Sequence, residues 1–147
     1  MLMQLQVLGT MFLAMILGGA IGFEREAADK PAGLRTHMIV AGAAALLTGL
    51  GRFLVPQLGV AESFIQIDPI RMIEAVVTGI TFLGAGTIIR NNGRGEGSVE
   101  GLTTAASLLL VGALGIGTAL HQFVLTIGAT ALMLVVLRVL KYVSRQI

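Results

Sequence analysis

Long apolar runs alternate with short charged or glycine-rich stretches along the whole chain. A bilayer span takes about 20 predominantly apolar residues, within a range of about 17–25. Five segments meet that requirement: residues 5–23, 37–55, 69–89, 102–119 and 123–140. The first contains the pair Gly18 and Gly22, a GxxxG spacing suited to close helix contact. The second is rich in alanine and leucine and is expected to stop at Pro56. The third opens at Asp68-Pro69, where aspartate suits an N-cap and proline suits the first helical position. Its second half, Gly79 to Arg90, combines an apolar run with Gly79, Gly84 and Gly86 and is read as the central helix of the fold. The fourth and fifth are separated only by a short turn at His121, which predicts an antiparallel helical hairpin. The pattern therefore predicts an all-α, polytopic membrane protein: one domain, residues 1–147, forming a bundle of about five transmembrane helices.

Composition agrees. The chain is 55% hydrophobic and 12% charged, with a mean hydropathy of +0.90. Soluble domains are about 25% charged. Met1 to Leu17 carry no charge and no clear cleavage site follows, so the first run is read as a retained span rather than a signal peptide. The chain has no cysteine, which excludes disulfides, thiolate metal sites and a cysteine nucleophile. The basic pI near 9.7 arises from residues flanking the apolar runs, which points to membrane orientation and not to nucleic acid. Aromatic content of 5%, without tryptophan, also argues against base stacking.

The ten basic residues are distributed unevenly. Arg25, Lys30, Arg35, Arg90, Arg94, Arg138, Lys141 and Arg145 fall on one side of the predicted bundle, and only Arg52 and Arg71 on the other. The positive-inside rule then places the first and third connections and the C-terminus in the cytoplasm and the N-terminus outside. The connection from Arg90 to Gly101 is glycine-rich and is expected to be flexible and wet.

Candidate chemistry gathers at the ends of the predicted helices. In the first connection, Glu24, Arg25, Glu26, Asp29, Lys30, Arg35 and His37 crowd together. Either the loop is solvated and holds interfacial ion pairs, or Glu24 and Glu26 pair with Arg35 or bind a cation, for which carboxylates offer the oxygen ligands magnesium favours. His37 is read as an interfacial hydrogen-bonding residue. Asp68, Arg71 and Glu74 recur every three residues on one face of the third helix, as an anchoring ion pair or the lip of an ion or proton path. Arg90 is expected to end that helix at the cytoplasmic surface. Thr103, Thr104 and Ser107 open the fourth helix, where hydroxyls bond back to carbonyls or across to another helix. Gly93-x-Gly95-x-Gly97 lacks the lysine and hydroxyl residue of a Walker A loop, and no nucleophile–base pair is visible, so no enzyme is expected.

Four blocks carry a family resemblance. They are Gly22-Phe-Glu24-Arg25-Glu26, Lys30-Pro31-Ala-Gly33-Leu34-Arg35-Thr36-His37, Gly79-Ile-Thr-Phe82-Leu83-Gly84-Ala-Gly86, and Gly101-Leu102-Thr103-Thr104-Ala-Ala. In this order and spacing the chain resembles the MgtC/SapB family of bacterial inner-membrane proteins. Two features depart from the usual pattern: leucines at 108–110 where a tryptophan is common, and Glu100 where a basic residue is common. Many members continue into a cytoplasmic C-terminal domain. The resemblance implies a helical membrane domain and a link to magnesium homeostasis, low-magnesium growth and virulence. It implies functional roles for Glu24, Arg25, Glu26, Arg35, His37, Gly84, Gly86, Thr103 and Thr104, and a membrane partner such as the proton-translocating ATP synthase.

Three functions follow as expectations. The first is a regulatory or interaction protein acting through helix contacts. The second is a transporter or channel for magnesium or protons, and the third a scaffold self-associating through Gly18/Gly22 and the Gly84/Gly86 face. A small bundle leaves much helix surface facing lipid, so a homo-oligomer, a dimer, is expected.

Overall fold

The structure is a computed structural model that describes residues 1–57, 69–91 and 98–143, with side chains for 1–52, 70–88 and 99–139. Five helices account for nearly all of it: α1 (Leu2–Ala27), α2 (Leu34–Gln57), α3 (Pro69–Ala85), α4 (Leu102–Ala119) and α5 (Phe123–Val143). Two three-residue strands, β1 (Ile89–Asn91) and β2 (Ser98–Glu100), pair antiparallel between α3 and α4.

Several boundaries differ from the hydropathy reading. Helix α1 runs on through Glu24, Arg25 and Glu26, and α2 begins at Leu34 rather than at residue 37. A local cap explains the early start. The Glu26 carboxylate accepts the Leu34 N–H at 2.8 Å, satisfying one of the N-terminal donors that an α-helix leaves without a partner. Helix α1 closes in a Schellman motif, with Lys30 N–H on the Arg25 carbonyl and Asp29 N–H on that of Glu26, both at 3.0 Å. Asp29 takes the left-handed conformation this requires, φ 51°. The turn after α4 repeats the device with His121 at φ 59°. Helix α2 passes Pro56 by one residue.

Helix α3 stops at Ala85, four residues before its expected end. The Thr87 hydroxyl and N–H both bond to the Gly84 carbonyl, at 2.7 and 2.9 Å, turning the chain out of the helix. Arg90 therefore does not end α3; it lies in β1 opposite Val99. The ends of the connection expected to be flexible are paired strands. Gly101, at φ 90°, then bends β2 into α4 with its α-carbon against the Thr87 carbonyl, where no β-carbon fits.

The core is centred on α1, α2 and α4, and α3 adds Ile80 at its edge. Ala14, Leu17 and Ile21 of α1 meet Val40, Ala41, Ala44 and Ala45 of α2 and Leu108, Val111 and Leu114 of α4. Backbones approach closely on both sides of α2. A β-carbon at Gly18 would lie 2.7 Å from the His37 carbonyl oxygen, and one at Gly22 would lie 2.8 Å from the Leu34 α-carbon. On the opposite flank, one at Gly115 would overlap the Ala41 carbonyl oxygen. Small residues permit such contacts between membrane helices. Helix α3 lies against α4 and the edge of α2, and α5 against α1 and α4.

Polarity is distributed inside out. Thr10, Glu24, Arg25, His37, Thr48, Thr104, Ser107 and Thr118 are buried, whereas Phe12, Phe23, Leu125 and Leu132 are more than 60% exposed. Water penalises that arrangement and hydrocarbon accepts it. Among the described residues three helical stretches, Leu2–Ala27, Leu34–Arg52 and Leu102–Ala119, are long and apolar enough to cross a membrane by length and composition. The described apolar stretch of α5 is shorter, Phe123–Val139, and α3 has 17 residues including Arg71 and Glu74.

Candidate functional site

The end of α1, the start of α2 and the first turns of α4 converge on a buried polar cluster. Its centre is His37, which is fully buried. The ring Nδ1 lies 2.8 Å from the Gly33 carbonyl oxygen one turn earlier. The Nε2 lies 3.0 Å from Ser107 Oγ on α4, bridging 70 residues of sequence. Ser107 Oγ also lies within donating distance, 2.8 Å, of the Thr104 carbonyl. The small surface of Gly22 makes this placement possible, since a β-carbon there would be 2.8 Å from that of His37.

Glu24 and Arg25 lie on the adjoining end of α1, 7% and 4% exposed. The Arg25 Nε and Nη2 groups both donate to Glu24 Oε2, at 2.6 Å. Neighbours on a helix point in different directions, so this pair forms because a long guanidinium curls back onto the adjacent carboxylate. Burial makes the contact matter: a buried charge without its partner carries a desolvation cost of several kcal/mol, order of magnitude. The Arg25 charge is close enough to act electrostatically on His37.

The expected pairing of Glu24 or Glu26 with Arg35 is replaced by other partners. Glu24 holds Arg25, Glu26 caps α2, and Arg35 is exposed. The two carboxylates proposed as magnesium ligands thus serve separate elements, one buried and one exposed. Among the described residues no group of three or more His, Cys, Asp or Glu gathers as a metal site.

The other candidate residues are dispersed. Thr104 is buried at the cluster, whereas Thr103, one residue earlier, faces outward. Gly84 rests against Ala105 of α4, where a β-carbon would find ordinary contact at 3.5 Å, and Gly86 is exposed in the turn beyond. Arg71 and Glu74 are exposed on α3; Asp68 and the side chain of Arg90 lie outside the described residues. Gly18 and Gly22 are covered by α2, so the scaffold reading loses one of its two proposed contact faces.

Sequence reasoning did not pair Ser107 with His37. The available signal was its position three residues after Thr104, which puts both hydroxyls on one helix face. It also missed a small cavity at the opposite end of the bundle, lined by Met3, Val7, Thr10, Arg52 and His121 among others. There Arg52 Nη1 donates to the Ala119 carbonyl at 3.3 Å, placing a cation at the negative end of α4.

Comparison with known proteins adds to this geometry. The model of the MgtC family matches residues 11–146. The putative magnesium transporter YhiD of Escherichia coli strain K12 is 36% identical over 133 residues, covering 88% of this chain and 58% of that protein. Protein SapB of Bacillus subtilis strain 168 is 29% identical over 140 residues, covering 92% and 56%. Protein MgtC of Salmonella typhimurium strain LT2 is 38% identical over 122 residues, covering 82% and 46%. The chain spans less than three-fifths of the length of these curated relatives. No solved structure matches it.

Proposed function

This chain belongs to the MgtC family, and from that premise we propose that it is a multi-pass inner-membrane protein with a regulatory role in magnesium homeostasis, exerted through helix contacts with another membrane protein. The observation that carries this reading is the use of the inner-end charges inside the fold. Glu24 is bound to Arg25, Glu26 caps α2, and His37 ties α2 to α4. Groups committed to such internal contacts fix the helix ends relative to one another more readily than they form a path along which an ion exchanges ligands. In this reading all five helices cross the bilayer, with the N-terminus outside and the C-terminus in the cytoplasm. The excess of basic residues at the end carrying Arg25, Lys30 and Arg35 supports that orientation.

A second reading, a magnesium or proton transporter, is favoured by the name of the Escherichia coli relative and by Arg71 and Glu74 on the exposed face of α3. Flux into vesicles carrying the purified protein separates the two. The regulatory reading expects no magnesium-dependent flux above protein-free vesicles, together with capture of a membrane protein from native membranes. Flux present in the native chain and lost in Glu74→Gln would overturn it in favour of transport.

A further inference from the structure

The hydrogen bonds of His37 constrain its protons. A carbonyl oxygen only accepts, so the Nδ1 facing Gly33 carries a hydrogen. The Nε2 faces Ser107 Oγ, which is also within donating distance of the Thr104 carbonyl. A hydroxyl has one hydrogen, and it cannot serve both neighbours at once. Two arrangements satisfy the cluster. In one, the ring is neutral at Nε2 and Ser107 donates to it. In the other, Nε2 has taken a proton and donates to Ser107 Oγ, and the Ser107 hydrogen turns to the Thr104 carbonyl. Each heavy atom stays in place and the His37–Ser107 contact is kept; only one proton is added and one hydroxyl rotates.

We propose that His37 is a proton-binding site whose occupancy is transmitted through the Ser107 hydroxyl to the first turns of α4. The proton comes from the aqueous phase at this end of the bundle and binds the Nε2 lone pair, so the ring gains one positive charge. The charged groups nearby are Arg25 and Glu24 of α1, with Glu26 one contact further away through Gly33. From α4 the facing groups are the hydroxyls of Thr104 and Ser107, both at most 1% exposed. The Glu24 carboxylate is bound to Arg25. Because Thr104 and Ser107 stand on the helix that also packs α1, α2 and α3, the proton is registered at the centre of the fold. This site does not depend on either reading of magnesium physiology.

The test uses the full chain in lipid nanodiscs with isotope-labelled histidine and threonine. The chain has two histidines, and His121→Asn leaves His37 alone while keeping a residue that tolerates the left-handed turn. Nitrogen spectra between about pH 5 and pH 8 are expected to show a ring protonated at Nδ1 giving way, as the pH falls, to one protonated at both nitrogens. The Thr104 carbonyl carbon signal is expected to move with the same midpoint. In Ser107→Ala that carbonyl is expected to lose its pH response, and in Ser107→Thr, which restores a hydroxyl, to regain it. A ring that stays in one protonation state throughout overturns the site. A Thr104 signal that titrates equally well in Ser107→Ala overturns the transmission. The native-chain titration decides the first point even if a Ser107 variant fails to fold.

Discussion

The carboxylate of Glu26 and the backbone N–H of Leu34 are joined at 2.8 Å, so the last turn of α1 supplies the cap for the first turn of α2. Loss of a side-chain cap costs about 0.5–2 kcal/mol. Glu26→Ala is expected to lower stability by about that amount. A β-carbon at Gly33 would come 2.6 Å from the same carboxylate oxygen, so Gly33→Ala displaces the cap from the other side. The double variant should then cost little more than the worse single one, because both act on one contact. Unfolding in mild detergent measures all three; full additivity would show that the two residues act separately.

The buried ion pair predicts a different pattern. Removing one member of such a pair costs roughly 3–5 kcal/mol, because the other charge stays buried without a partner. Glu24→Gln and Arg25→Met are each expected to be severely destabilised. The double variant, with no charge left to bury, should recover most of the loss. A double-mutant cycle on thermal unfolding checks this, and equal losses in all three variants would contradict it.

Glycines should divide by location and not by sequence context. Gly18, Gly22 and Gly115 are in contact with neighbouring helices, and alanine at any of them should cost about 1–3 kcal/mol by forcing backbones apart. A β-carbon added at Gly9, Gly79 or Gly128 would meet nothing within 4 Å, and alanine there should leave stability unchanged or higher. Gly84 lies between these groups: alanine fits beside Ala105, whereas Gly84→Leu should push α3 away from α4. Melting temperature and elution volume in detergent separate the three classes.

Topology is open to direct labelling, because the chain contains no cysteine. Lys30 and Gln122 are exposed, one in the connection after α1 and the other in the turn before α5. Single cysteines at these positions are expected to react with an impermeant reagent from opposite sides of the membrane. Reaction of both from the same side would overturn the five-span orientation.

Much of the helical layout is legible in hydropathy alone, since apolar runs of this length have few alternatives in lipid. The boundaries are harder to read. Leu34 enters α2 because of a carboxylate eight residues earlier, and a window average does not register a single hydrogen bond. Glycine content points to α3 as the centre of the fold, but glycine marks a contact only where another backbone arrives. Gly79 borders open space and Gly86 is exposed, whereas Gly18, Gly22 and Gly115 lie in close contact. Glu24, Arg25 and His37 are recognisable as candidates from their crowding. Their partners are not: the guanidinium folds back onto its neighbour, and Ser107 is brought to His37 only by the packing of α2 on α4.

Ala41 has a bare glycine backbone on each flank, Gly18 from α1 and Gly115 from α4. Two such abutments act like a mortise. Sliding or turning α2 by even part of a turn would drive its side chains into main chain on one side or the other. The three inner rods are therefore keyed together as one body, with α3 and α5 laid against its outside.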